Sequence, residues 1–304
     1  MSAHHNHEAH QKDGRAFLIA ITLNACYVVF QATYAYMAHS ASLLADAGHN
    51  LGDVLGLLMA WLASYLLTKS PTRRLTFGYK KVSLLAALGN SLILIFTCGV
   101  IATESIHRLL EPDHIAALEV VAVASVGIMI NGGSALLFMG KRHDLNVKAA
   151  FLHLAYDALI SLGVVLGAIL IYFTGWEWID PVLGLLIGSV ILKGTWKLFG
   201  DSINLILGGV PRDISLVEVE NLLKSIPGVS EVHYLHIFAL STRENALSVH
   251  LIMPEKPLTE SRRRALLETL RDEHHIQHVT IQVERQAGEC YPCCPAQEKP
   301  GNHS

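Results

Sequence analysis

The chain has 304 residues, 51% of them hydrophobic and only 16% charged. Soluble domains are about one quarter charged, so a wholly soluble protein is excluded. The net charge of −3 says little about partners, because apolar runs recur from about Phe17 to Leu207 while Pro211–Ser304 is rich in charges. That contrast predicts a membrane domain followed by a cytosolic domain.

The expected order is a His-rich cytosolic tail over 1–15, a membrane domain over 16–207, an α+β domain over 208–286 and a Cys-containing tail over 287–304. The opening MSAHHNHEAHQKDGR is not expected to be a signal peptide, because the apolar stretch after it is long enough to stay in a bilayer. Six transmembrane helices are predicted at 16–37, 42–67, 80–108, 115–140, 147–174 and 178–207, since a span needs about 20 mostly apolar residues. The first two form a tight hairpin around His39–Ala41.

Ten cationic residues fall on one side of these spans: Lys12, Arg15, Lys69, Arg73, Arg74, Lys80, Lys81, Lys141, Arg142 and Lys148. The other side carries Arg108. Positive charge stays on the cytoplasmic side, so both termini are expected there.

From Pro211 the pattern changes. Residues 215–226 have helical periodicity and stop at Pro227-Gly228, Val229–Leu240 and Ala246–Met253 alternate as strands, 259–273 form a charged helix, and Val279–Glu284 is a third strand. The order αββαβ gives a three-stranded sheet with helices on one face. Cys290, Cys293 and Cys294 follow in the tail. In a reducing compartment such a cluster points to metal before a disulfide, although Cys-x-x-Cys needs two further ligands.

The chemistry concentrates in two apolar helices. LLADAGHNLGDVL carries His49 and Asp53; AAFLHLAYDALISL carries His153 and Asp157. A spacing of four puts each pair on one helix face. Ionisable groups at membrane depth are costly and usually functional. Zinc takes four ligands tetrahedrally, with imidazole nitrogen and carboxylate oxygen both suitable. Two neutral imidazoles and two carboxylates cancel the dication's charge, which lowers the cost of holding it away from water. The ligands must shed protons to bind metal, so an emptied site regains one or two, a physical route to metal/proton exchange. The same donors accept Co²⁺, Ni²⁺, Fe²⁺ and Cd²⁺. Asp46, three residues before His49, is expected to orient an imidazole or cap the helix start. Asn24, Gln31, Asn90 and Asn131 are expected to hydrogen-bond between helices, and Glu104 to pair with Arg108.

ASLLADAGHNLGDVLGL, RRLTFGYKKVSLLAAL, KAAFLHLAYDALISLGVV, GVSEVHYLHIFAL and VTIQVE, in this order, resemble the cation diffusion facilitator family of zinc transporters over about residues 15–286. The resemblance implies a homodimer of six-helix subunits with a metallochaperone-like cytosolic domain, exporting Zn²⁺ in exchange for H⁺ by alternating access. It implies His49, Asp53, His153 and Asp157 as transport ligands, with a His at the first position associated with zinc over cadmium. It also implies regulatory zinc at His233 and His250, where Glu284 could add a ligand, and it pairs a C-terminal Cys290-x-x-Cys293 with an N-terminal His cluster, here His4, His5, His7 and His10. Departures are Gln31 and Ser83, where acids are usual, and Tyr156, where a small residue is usual. The 4–5 loop KRHDLN lacks the long His-rich insertion of many eukaryotic relatives, which favours a bacterial-type transporter, expected in a bacterial inner membrane.

No enzyme is expected. There is no G-x-x-x-x-G-K-[ST] loop or other nucleotide motif, so no nucleotide is expected as a partner; nucleic acid is not expected either. Four protein ligands leave no open position for the water a catalytic zinc needs. The rival readings are a broader exporter of Cd, Co, Ni or Fe, and a membrane-tethered zinc sensor or scaffold that moves no ions.

Overall fold

A computed structural model describes residues 22, 24–112, 114–138, 145–255 and 258–286, apart from the side chains at 60, 134, 136–138, 145–151 and 153. The chain forms two compact units, one of residues 1–62 and 86–199, the other of residues 63–85 and 200–304.

Among the described residues up to 207, six helices occur in the expected order. They are α1 (24–37), α2 (Ala41–Leu67), α3 (Val82–Leu110), α4 (Ala117–Phe138), α5 (Leu145–Thr174) and α6 (Ile179–Ile206). In hydrocarbon every backbone group must be bonded within its own segment, which makes helix the only open-chain solution for such apolar runs. Among the described residues, Ala41–Leu67, Val82–Leu110, Leu154–Thr174 and Ile179–Ile206 are long and apolar enough to cross a membrane, and Ala117–Gly133 is a shorter apolar stretch. Large apolar side chains such as Phe96, Met129 and Phe173 point outward, as lipid-facing residues do.

The α1–α2 hairpin turns at His39, which takes a positive φ of 49°. Ser40 N–H returns to Ala35 C=O at 3.0 Å, closing the end of α1. The first turn of α2 has orphan N–H groups, and a carboxylate from α6 meets them. Asp180, 1% exposed, accepts from Ser40 Oγ at 2.6 Å, from Ser42 Oγ at 2.5 Å and from the backbone amides of Ala41 and Ser42. A negative charge at a helix N-terminus is also favoured by the helix dipole. Nothing in the sequence pattern singled out this residue.

Each buried donor left without an acceptor costs about 1–3 kcal/mol. Asp180→Ala is therefore expected to lower stability by on the order of 3 kcal/mol, measured as the thermal unfolding of purified protein in detergent. Asp180→Asn, which keeps one acceptor oxygen, loses less. An unchanged midpoint in Asp180→Ala contradicts the capping role.

Gly48, Gly52 and Gly56 make a one-sided stripe on α2 facing α3. A Cβ at Gly48 would stand 2.9 Å from Thr97 and 3.0 Å from Ile101, and one at Gly52 would collide with Leu94. Small residues at this spacing let two helices approach closely in a membrane. Asn90, expected to bridge helices, faces Gly56 instead. Glycine offers no side-chain donor, and Asn90 Oδ1 is buried without a partner among the described residues, as is Asn131 Nδ2. The expected Glu104–Arg108 pair is present, with Arg108 Nε donating to Glu104 Oε1 at 2.7 Å.

The second unit contains the predicted αββαβ order: α7 (Leu216–Lys224), β1 (Glu231–Ala239), β2 (Asn245–Ile252), α8 (Glu260–Asp272) and β3 (His278–Glu284). Ser215 caps α7 by accepting from Glu218 N–H at 3.3 Å. The sheet order is β1-β2-β3, with β1/β2 antiparallel and β2/β3 parallel. Leu247, Val249 and Leu251 share one face of β2 and form a core with Val219 and Leu223 of α7, Leu266 and Leu270 of α8, and Ile237 of β1. Period two then sends His250 to the opposite face.

This unit also holds a polar latch. Lys80, just before α3, donates to Glu244 Oε2 at 2.5 Å, and His278 Nε2 lies 2.9 Å from the same oxygen. Thr242 N–H donates to Ser83 Oγ at 3.1 Å. The Lys80 hydrogen bond, and after it that of His278, holds the Glu244 carboxyl below its ordinary value. A lowered folded value means stabilisation that is present above the ordinary range of about 4 and is lost as pH falls through the folded value. Protection of the amides in residues 63–85, with the intrinsic pH dependence of exchange divided out, should thus be constant from neutral pH to about 5 and fall only below about 4. Loosening near neutral pH would rule out a Glu244-based latch.

Candidate metal centres

The first centre is built by α2 and α5. An apolar helix repeats every 3.6 residues, so 46, 49, 50 and 53 share one face of α2, and 153, 157 and 161 share one face of α5. These faces meet. His49 Nε2 lies 2.9 Å from Asp157 Oδ1, with the Asp157 side chain 4% exposed and His49 15%. Potential ligand atoms of His49, Asp53 and Asp157 all lie within 4.8 Å of one another. His153 belongs to α5 one turn before Asp157, but its side chain lies outside the described residues. Three of the four residues expected from the pattern therefore converge.

Asp46 is placed differently from expectation. Among the described residues it makes no hydrogen bond to an imidazole. Its Oδ2 accepts from Gln31 Nε2 of α1 at 2.6 Å and from Ser161 Oγ of α5 at 2.9 Å, while Asn50 Nδ2 donates to Gln31 Oε1 at 2.9 Å. The reason is angular. Positions three apart differ by about 60° around a helix, which turns Asp46 toward α1 as well as α5. Gln31 is fully buried. Its amide serves a carboxylate at one end and an amide donor at the other, which an acid there could not do without setting two carboxylates face to face.

The second centre lies on the face of the sheet away from the α7/α8 core. His233 is directly opposite His250 in the register, and Glu284 of β3 is diagonal to His250. His250 Nδ1 lies 2.7 Å from Glu284 Oε1. His233 Nε2 stands 3.5 Å from Oε2, too far for a hydrogen bond, and Oε2 is buried without a hydrogen-bond partner among the described residues. A buried anionic oxygen flanked by two imidazoles is the donor set a divalent cation fits. Ligand atoms of His233, His250 and Glu284 lie within 4.8 Å of one another.

A bulge aims this centre. The β1/β2 register shifts between His233 and His236, and Tyr234 takes a positive φ of 52°. Bulges of this kind re-aim neighbouring side chains next to sites. Tyr234 packs on His250 with ring centres 5.1 Å apart, and Gln282 Nε2 donates to Glu284 Oε1 at 3.1 Å. The sequence did not point to Tyr234; an aromatic between two strand histidines is the one signal it offered. His236 is exposed and outside the cluster, because the shift turns it away. Cys290 and Cys293 lie outside the described residues, as do His4, His5, His7 and His10.

Residues 17–207 match the family model described as the cation efflux transmembrane domain, and residues 211–286 match that of the cation efflux protein, cytoplasmic domain. The chain belongs to the cation efflux family, also called the cation diffusion facilitators. It is an integral membrane protein with a transmembrane helical domain and a small α+β domain.

This cation efflux protein is 38% identical over 291 residues to the metal cation efflux system protein CzcD of Cupriavidus metallidurans, covering 93% of this chain and 90% of the relative. It is 32% identical over 312 residues to the cadmium, cobalt and zinc/H(+)-K(+) antiporter of Bacillus subtilis, covering 100% and 99%. It is 33% identical over 308 residues to the zinc transporter ZitB of Escherichia coli, covering 98% and 96%.

Proposed function

We propose that this protein exports divalent metal, zinc foremost, from the cytoplasm in exchange for protons through the His49/Asp53/His153/Asp157 site. The observation that carries the reading is the 2.9 Å separation of His49 Nε2 and Asp157 Oδ1. Two lone-pair atoms at that distance need a proton between them. A metal ligated by both atoms takes the place of that proton, so cargo and proton compete for the same two atoms. With neutral imidazoles and two carboxylates the loaded site has no net charge, which suits passage through a low-dielectric layer.

The names of the relatives span zinc alone and cadmium, cobalt and zinc together. The site has no thiolate and half imidazole donors, which favours borderline over very soft metals. Zinc before cadmium is the expected order. Positive charge in the 2–3 loop supports cytoplasmic termini in a bacterial inner membrane. The match of 211–286 supports a homodimer in which His233, His250 and Glu284 hold regulatory zinc, with Cys290 and Cys293 forming a further zinc site.

The test is reconstitution. Proteoliposomes with an imposed pH gradient should take up Zn²⁺ and show matched proton movement in the opposite direction. Zinc movement with no proton signal at any gradient rejects the exchange, and no movement of any divalent metal rejects export.

A further inference from the structure

We propose that Asp46 is a positioning residue: with Ser161 it forms a second rung between α2 and α5 that holds His49 and Asp157 at ligand spacing and so sets metal affinity. The proposal rests on the transport-site reading above.

The rung geometry carries it. Ser161 follows Asp157 by one turn on α5, and Asp46 precedes His49 by three residues on α2. The contacts Asp46–Ser161 and His49–Asp157 therefore join the same two helices, running in opposite directions, at 2.9 Å each. Rungs one turn apart are about 5 Å apart along the axis. A single rung leaves the helices free to roll about it, whereas two rungs fix both translation and roll. A slip of one residue shifts a helix by about 1.5 Å and turns it by about 100°, which would break both contacts.

The third side of the bracket is α1. Gln31 ties Asp46 to Asn50 on the same face of α2, and Gln31, Asp46 and Ser161 are at most 1% exposed. Water cannot substitute for a missing partner at such positions, so the hydrogen bonds are directional constraints. Asp46 Oδ2 alone receives the two donors. One acceptor oxygen is what the bracket requires, and an amide oxygen supplies it as well as a carboxylate does.

That last point separates positioning from a role of the charge. Full-length protein is reconstituted, and zinc uptake is measured against zinc concentration at several pH values. Ser161→Ala removes one hydroxyl and is expected to raise KM for zinc about tenfold, with little change in maximal rate. Asp46→Ala should raise KM at least as much. Asp46→Asn should recover most of the affinity lost in Asp46→Ala, with the pH profile of the parent. The proposal is overturned if Asp46→Asn behaves like Asp46→Ala, since charge then matters, or if Ser161→Ala keeps the parent KM. Should Asp46→Ala fail to run as a monodisperse species, Ser161→Ala decides alone. A failure of the transport-site reading looks different: Asp157→Ala would then transport normally.

Discussion

Asp157→Ala is expected to reduce zinc transport by about 100-fold or more, while the protein folds and inserts. Three consequences of the change add together. The ion loses one of two carboxylates, so the loaded site carries a net positive charge in a place where an uncompensated ion is very costly. His49 loses the partner 2.9 Å from its Nε2, and with it one of the contacts that orient the imidazole. The proton that the His49–Asp157 pair shares also has no second owner, so the exchange step is lost along with the binding step. Asp157→Asn separates these effects. It keeps an oxygen where Oδ1 stands but removes the charge, and it should be nearly as inactive, because a neutral amide oxygen is a poor zinc ligand. Asp53→Ala should match Asp157→Ala. The measurement is initial zinc uptake into proteoliposomes under a fixed pH gradient, with protein orientation controlled. Transport near the parent rate in Asp157→Ala would end the four-ligand mechanism.

How much could be read from the letters alone depends on where each contact is encoded. The convergence of His49, Asp53 and Asp157 was legible because a helix places i and i+4 together, and because charge in an apolar run stands out. The αββαβ order was legible for a similar reason: period-two and period-3.6 stretches alternate between clear stop signals such as Pro227-Gly228. Element ends differ from expectation by a few residues, as in β1 at Glu231–Ala239 against the expected Val229–Leu240, because ends fray and periodicity does not mark them. What the sequence could not show were contacts between common polar residues far apart in the chain. Asp180 caps a helix that begins 139 residues earlier. Ser161 reaches Asp46 across 115 positions. A serine in an apolar helix has many local uses, including bonding to its own backbone as Ser189 does, so its sequence context does not announce a partner. The correction at Asp46 belongs to the same class. Proximity to His49 suggested a direct contact with an imidazole, but a turn of about 60° around the helix gave Asp46 hydrogen bonds to Gln31 and Ser161.

Glu284→Gln is expected to remove the metal from the carboxy-terminal centre and leave the transport site able to bind. Glu284 is the member that the two histidines share, at 2.7 Å from His250 and 3.5 Å from His233, and its side chain is 2% exposed. Without its charge the cluster has no anion to offset a dication, and two neutral donors on a sheet face hold zinc far more weakly than the three-residue set does. Glutamine preserves the shape and can still accept from the imidazole, so the fold is not the casualty. Bound zinc in the full-length protein should fall by about one ion per chain, and adding Asp157→Ala should remove the transport-site ion as well, leaving only zinc held by Cys290 and Cys293. A thermal readout gives an independent check. The three ligands come from β1, β2 and β3, so an ion joining them stabilises the folded sheet by mass action, by about 2.7 kcal/mol at 100-fold excess over the dissociation constant. Zinc should accordingly raise the unfolding temperature of the carboxy-terminal unit in the parent and not in Glu284→Gln. The exposed His236 serves as a control, since His236→Ala should keep both the stoichiometry and the thermal shift. Parent-like zinc content in Glu284→Gln would mean that the sheet-face cluster is an ordinary buried ion pair, with Glu284 held by His250 alone.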